Sequence, residues 1–156
     1  MNQTLVLGVG NYLLSDDGVS VHVIERMLAA HEFPPDVQVV DGGTCGLDLL
    51  QYLEGVNNLI LIDAIHASQE AGSIIRLSGD QVPAYLALKI SPHDIGLPDL
   101  LATAKLRDLY PENVVVIGIQ PASLEFGVEL STIVANRLDE LAETILAETR
   151  LMIAAV

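Results

Sequence analysis

The chain has 156 residues, 51% of them apolar, with 7 basic against 21 acidic residues and a net charge of −14. That length suits one domain with a sizeable core, and the apolar share excludes a disordered chain. The charge excludes nucleic acid and anionic lipid as natural partners, because both are themselves negative. It suits metal ions or a partner with a basic patch, besides keeping the protein soluble.

Other classes fall away as quickly. No apolar run approaches the roughly 20 residues of a membrane span. The opening MNQTLVLGVG has neither the basic region nor the cleavage site of a signal peptide. One cysteine, Cys45, cannot close an internal disulfide, which fits a reducing compartment. The expectation is a cytoplasmic monomer, a single domain over 1–156, with no membrane or nucleic-acid partner.

In chain order, TLVLGV (4–9) reads as a buried strand that ends at glycine. A helix should follow from Asp16 or Asp17, with Val19, Val23, Met27 and Ala30 at helical spacing and acids in its first turn. Pro34 and Pro35 close it. VQVVD (37–41) is a second strand, ended by Gly42 and Gly43, and GLDLLQYL (46–53) a short helix. NLILIDAI (58–65) is the most apolar strand, and GSIIRLS (72–78) a more exposed one. Residues 79–98 read mostly as loop, broken by Pro83, Pro92 and Pro98. A helix is expected over 99–109, a buried strand over NVVVIGIQ (113–120), and a last helix from an N-cap at Ser131 to about Thr149. Alternating strands and helices predict an α/β fold: a three-layer sandwich whose twisted, mainly parallel five-stranded sheet has helices on both faces.

Ligands of such sheets bind beyond the carboxyl ends of the strands. Gly8 to Asp17, then Asp41 to Thr44, then Asp63 follow three of those ends. A dinucleotide loop is one reading of Gly8 and Gly10, with Asp41 as the ribose acid. The third glycine of G-x-G-x-x-G is missing, however, and Asp16 and Asp17 stand where pyrophosphate would lie. The glycines then simply make a tight turn, braced by Asn11, with Asp16 as a helix-start charge.

A cation site is the second reading, with Asp17 and Asp63 on one rim and a histidine completing a mixed N/O set. Taken singly, each acid has an ordinary role, as a helix-start charge or a strand-end turn former. His22 and His31 belong to the first helix, and chemistry prefers His93 in SPHDIG over His66 only slightly. A third reading makes Cys45 a nucleophile, with Gly42, Gly43 and Gly46 offering backbone N–H groups. A lone cysteine is more often a small packed residue.

Three motifs go further than spacing. LGVGNYLLSDDGV, VVDGGTCGLDLL with LILIDAI, and ISPHDIGLPDLL occur in that order over about residues 4–130. On these the chain resembles the hydrogenase maturation endopeptidase family. The resemblance implies a cytoplasmic peptidase that cuts a C-terminal extension from the large-subunit precursor of a nickel–iron hydrogenase after nickel insertion. It implies a metal-engaging and catalytic trio at Asp17, Asp63 and His93. The nickel is carried by the precursor, and another divalent ion can substitute. Gly42, Gly43 and Thr44 become candidates for contact with the substrate tail, and Cys45 loses its claim as nucleophile. The first acid is glutamate in some members of the family; Asp17 is one methylene shorter, which leaves metal preference open. The alternative is a non-enzymatic nucleotide- or metal-binding α/β module.

Overall fold

A computed structural model of the chain describes residues 2–88 and 97–155. Five strands form one sheet: β1 (Thr4–Gly8), β2 (Val37–Asp41), β3 (Asn58–Ala64), β4 (Ile74–Ser78) and β5 (Asn113–Ile119), in the order β2-β1-β3-β5-β4. All pairings are parallel except β4 against β5. The mainly parallel α/β sheet is therefore as expected, with the more exposed strand as its antiparallel edge.

β3 is buried at every position, as a central parallel strand covered on both faces must be. Its side chains alternate between two cores. Ile60 and Ile62 join Val6, Ile117 and Ile119 beneath α1 (Val19–Ala30) and α5 (Leu138–Ala154), with Val23, Met27, Leu141 and Ile145 facing them. Leu59 and Leu61 join Leu5, Leu7 and Val116 on the other face. There they meet Leu49 and Leu53 of a 3₁₀ helix (Gly46–Leu53), Val82 of α2 (Gln81–Leu88), and Leu100, Leu101 and Ala104 of α3 (Leu97–Leu106). Arg76 of β4 donates two hydrogen bonds of 2.9 Å to Glu148 of α5, a bidentate pair that ties the edge strand to the outer layer. Among the described residues no helix is long and apolar enough to cross a membrane.

Several expectations need correction. The stretch after Gly79 is not all loop, since α2 occupies Gln81–Leu88. Pro83 and Pro98 each lie in the first turn of a helix, where the missing N–H has no intrahelical partner to lose. Asp16 and Asp17 do not open α1; they lie in a 3₁₀ turn (Ser15–Gly18) ahead of it, and Ala30 is exposed. Ser131 does cap a helix, accepting from the Val134 N–H, but that helix, α4 (Thr132–Ala135), is one turn long. The chain re-enters helix at Leu138, and no glycine or proline marks the break.

Gly118 of β5 sits opposite Asp63 in the register. A β-carbon there would come 1.9 Å from the Asp63 carbonyl oxygen and 2.8 Å from the Ile65 side chain. Neither the central strand nor a close-packed core can yield that much. Gly118→Ala is expected to cost about 3 kcal/mol or more, read as a lower urea midpoint with an unchanged slope. A midpoint equal to wild type would show that β3 and β5 separate more easily than this packing allows.

Candidate functional site

The chain leaves β1 to form β2 on one side, then crosses back to form β3 on the other. Strand order therefore reverses between β1 and β3, and a crevice opens beyond their carboxyl ends. Gly8 pairs with Asp41 and with Ile62, so β1 and β2 end level and β3 runs two residues further, to Ala64. The three glycine- and acid-bearing loops do share one rim.

Gly10 is the hinge of this rim. Its φ of +127° lies in the range that glycine tolerates and other residues rarely adopt. Its N–H donates to the Gly43 carbonyl at 3.0 Å, joining the β1 and β2 loops. A β-carbon at Gly10 would lie 2.2 Å from the Asp17 carbonyl oxygen and 3.5 Å from Asp63 Oδ1. Only a residue without a side chain lets the Asp17 backbone and the Asp63 carboxylate come so close.

Asp17 is buried, and its Oδ2 accepts the Asn11 N–H at 2.7 Å. Asn11 Oδ1 accepts the Leu13 N–H at 2.9 Å, which is the expected brace of the turn. Asp63 is fully buried. Its Oδ1 accepts the Ala64 N–H at 2.9 Å, and its Oδ2 accepts the Tyr85 hydroxyl at 2.6 Å. Asp63 Oδ1 thus lies on one side of Gly10, and the Asp17 carboxylate is held by the N–H of the next residue, Asn11, so acids from the ends of β1 and β3 border one glycine. Carboxylate oxygens gathered at one rim suit a cation. His93, the third member of the expected trio, lies outside the described residues. Among the described residues no third histidine, cysteine or acid completes a metal-holding group with them.

The other candidates sort clearly. Gly42 is buried and its N–H donates to the Gly8 carbonyl at 2.8 Å, while the Gly43 N–H donates to Asp41 Oδ1 at 3.2 Å. Thr44 is exposed. Cys45 is exposed, and among the described residues no histidine hydrogen-bonds its thiol. His66 is exposed on the loop after β3.

Two residues carry more than spacing could reveal. Tyr85 comes from α2, within the stretch read as loop, so nothing placed it against Asp63. Asp16 does lie in the first turn of a helix, the 3₁₀ turn Ser15–Gly18, but it is fully buried and has partners beyond that turn. Its carboxylate accepts the N–H groups of Ala122 (2.8 Å), Ser123 (3.0 Å) and Ser131 (2.8 Å) and the Ser131 hydroxyl (2.8 Å). It therefore knots the turn after β1 to the segment that follows β5.

The chain as a whole is similar to known proteins. A family model described as hydrogenase maturation protease (HycI) matches residues 21–148. The hydrogenase expression/formation protein HupD of Rhodobacter capsulatus is 41% identical over 139 residues, covering 88% of this chain and 66% of its own. The hydrogenase 2 maturation protease of Escherichia coli K12 is 36% identical over 147 residues, covering 94% of this chain and 90% of its own. The chain thus spans just under two thirds of HupD but nearly all of the E. coli protein. Among solved structures, the hydrogenase maturating endopeptidase HybD from E. coli superimposes with a TM-score of 0.89 at 35% identity, over 95% of this chain and 92% of that one. The NiFe hydrogenase maturation protease HybD from Thermococcus kodakarensis gives 0.75 at 26% identity, over 93% and 97%.

Asp16→Asn removes the charge and turns an amide group toward donors. It is expected to cost about 2–4 kcal/mol of stability and to speed proteolysis within 121–131. Unchanged proteolysis and an unchanged urea midpoint would mean that the knot does not hold the two segments together.

Proposed function

The chain belongs to the hydrogenase maturation protease family, and from that premise we propose that it removes the C-terminal extension from the nickel-loaded large-subunit precursor of a nickel–iron hydrogenase. Asp17, Asp63 and His93 engage the nickel already seated in the precursor. The ion is part of the substrate, and another divalent ion can take its place. The supporting observation is the placement of Asp17 and Asp63 about Gly10 at the β1/β3 switch point, Asp63 Oδ1 beside the glycine and the Asp17 carboxylate on the N–H of Asn11. Carboxylate oxygens with one imidazole nitrogen form a donor set suited to a divalent transition ion that keeps open positions. A precursor without metal presents no cation to the two acids, which accounts for cleavage that waits for nickel.

In the cleavage step, water adds to the scissile carbonyl and the peptide C–N bond breaks. The subunit keeps the new carboxylate, and the released extension takes the proton on its amine. Asp17, Asp63 and His93 would hold the ion; it would supply Lewis-acid polarisation of the carbonyl, and a neighbouring carboxylate would accept the water proton. The 42–44 loop, joined to Gly10 through Gly43, flanks the path of the tail with Thr44 outermost. Tyr85 acts through Asp63: its hydroxyl fixes one carboxylate oxygen, and with it the direction in which the acid presents itself.

Incubation of the purified protein with nickel-loaded precursor is expected to shorten the large subunit, and nickel-free precursor should stay intact. His93→Ala should lower the rate about 100-fold or more; full activity in that variant removes the trio. Cys45→Ala should cleave within about twofold of wild type, and an inactive variant restores the thiol mechanism.

Tyr85→Phe tests positioning separately. It should lower kcat about 10- to 100-fold while the unfolding free energy falls by only about 1 kcal/mol. A loss of activity that tracks a large loss of stability would make Tyr85 merely structural.

A further inference from the structure

We propose that an apolar rim beside the acid crevice, formed by Leu13, Leu124, Phe126 and Val128, docks a segment on the body of the precursor protein that is itself apolar and flanked by basic residues. This rests on the protease reading above and names a part of the substrate away from both the metal and the scissile tail.

Exposed apolar residues are ordinary when scattered. Here they are gathered. Phe126 is 91% exposed and Leu13 57%, with Val128 at 44% and Leu124 at 40%. They lie on two segments far apart in sequence and paired in space. Leu14 and Gly127 form a parallel bridge, which puts Leu13 level with Phe126. The Gly127 N–H donates to the Leu13 carbonyl at 2.9 Å, and the Ser15 N–H to the Gly127 carbonyl at 2.8 Å. His22 Nε2 lies 3.1 Å from the Val128 carbonyl, with the Tyr12 ring 5.6 Å from its own.

The backbone beneath this patch is fixed on both sides. The Asp16 carboxylate holds Ala122, Ser123 and Ser131, and the Ser15 hydroxyl donates to the Glu125 carbonyl at 2.6 Å. A phenylalanine displayed on a pinned loop has little entropy to lose on docking, which is the character of an interface anchor. The patch is tied to the crevice through Asn11, whose N–H donates to Asp17 Oδ2 and whose side-chain oxygen accepts the Leu13 N–H.

Charge selects the occupant. LEFGVE alternates apolar residues with Glu125 and Glu129, both exposed, and no lysine or arginine occurs between Gln120 and Asn136. The complement is apolar with cationic flanks. A second copy of this chain fits poorly, since each copy carries a net charge of −14 and would bring the same glutamates to the contact.

Phe126→Ser should fold with an unfolding midpoint equal to wild type. In steady-state cleavage of nickel-loaded precursor it should raise KM about tenfold or more with kcat within about twofold; Phe126→Leu should recover most of the loss. The double variant E125Q/E129Q should lower kcat/KM several-fold at low salt and little at high salt. A KM for Phe126→Ser within twofold of wild type overturns the rim and leaves the protease reading intact. If wild type itself does not cleave, that reading fails, and titration of nickel-loaded precursor into wild type and Phe126→Ser then decides the rim alone. Weaker binding by the variant supports it, whereas equal binding, or none by either protein, overturns it. Self-association of wild type that Phe126→Ser abolishes, seen by size-exclusion chromatography, assigns the patch to a second copy and also overturns the proposal.

Discussion

A fully buried carboxylate is expensive unless it is surrounded by donors. Asp16 meets that condition with three backbone N–H groups and one hydroxyl. All four come from a segment 106 to 115 positions away in the chain. The cost of burial therefore works as a constraint. The turn after β1 can adopt its conformation only if the segment after β5 is in place, and the reverse also holds. Ser131, which caps α4, is one of the residues held, so the entry of the last helical layer depends on the same contact. Neighbouring hydrogen bonds, from Ser15 and Gly127, extend the seam and would have no fixed geometry without it.

Two adjacent acids have separate fates because of this. Asp16 is consumed in structure, with its lone pairs directed at donors. Asp17, one residue on, is carried to the other side of the turn, where its Oδ2 accepts the Asn11 N–H beside Gly10. The bare backbone of Gly10 then lets the Asp17 carbonyl and Asp63 Oδ1 both approach the same residue. Neither acid could do the other's work. A carboxylate saturated by backbone donors attracts a cation weakly, and one that holds no loop would leave the rim to drift. Sheet topology supplies the rest, since the reversal of strand order is what puts the ends of β1 and β3 on either side of one crevice.

The strands were legible in the sequence because each is a short apolar run bounded by glycine or a charge, and a fully buried strand such as NLILIDA has no other plausible reading. Parallel topology followed from the alternation with helices. The acids at Asp17 and Asp63 could be placed on one rim because strand ends are the one part of an α/β sheet whose position is fixed by topology alone. What could not be read was whatever depends on long-range contact. Asp16 and Asp17 are chemically identical, and only partners more than a hundred positions away separate them. Tyr85 was hidden by Pro83, which suggests a broken chain unless it falls in the first turn of a helix. The step between α4 and α5 has no local signal at all. Only the family resemblance singles out His93, because chemistry alone leaves His66 beside it.

On the proposed reading, the crevice and the rim ask different questions of one substrate. Two carboxylates discriminate by charge and barely by shape, so alone they would accept many cations on many proteins. An apolar rim discriminates by shape and hydrophobicity but is blind to whether a metal is present. Both are anchored to the turn that Asp16 holds, so their separation is fixed and a substrate must satisfy them together. When two contacts are made on one rigid frame, the second costs little further entropy, and their selectivities multiply. Binding energy gathered at the rim can then position the metal and the peptide bond beside it without reading the tail itself. In this reading specificity for a folded, loaded precursor needs no deep pocket for the extension. It needs a rigid link between two modest contacts, and a buried aspartate with four donors provides it.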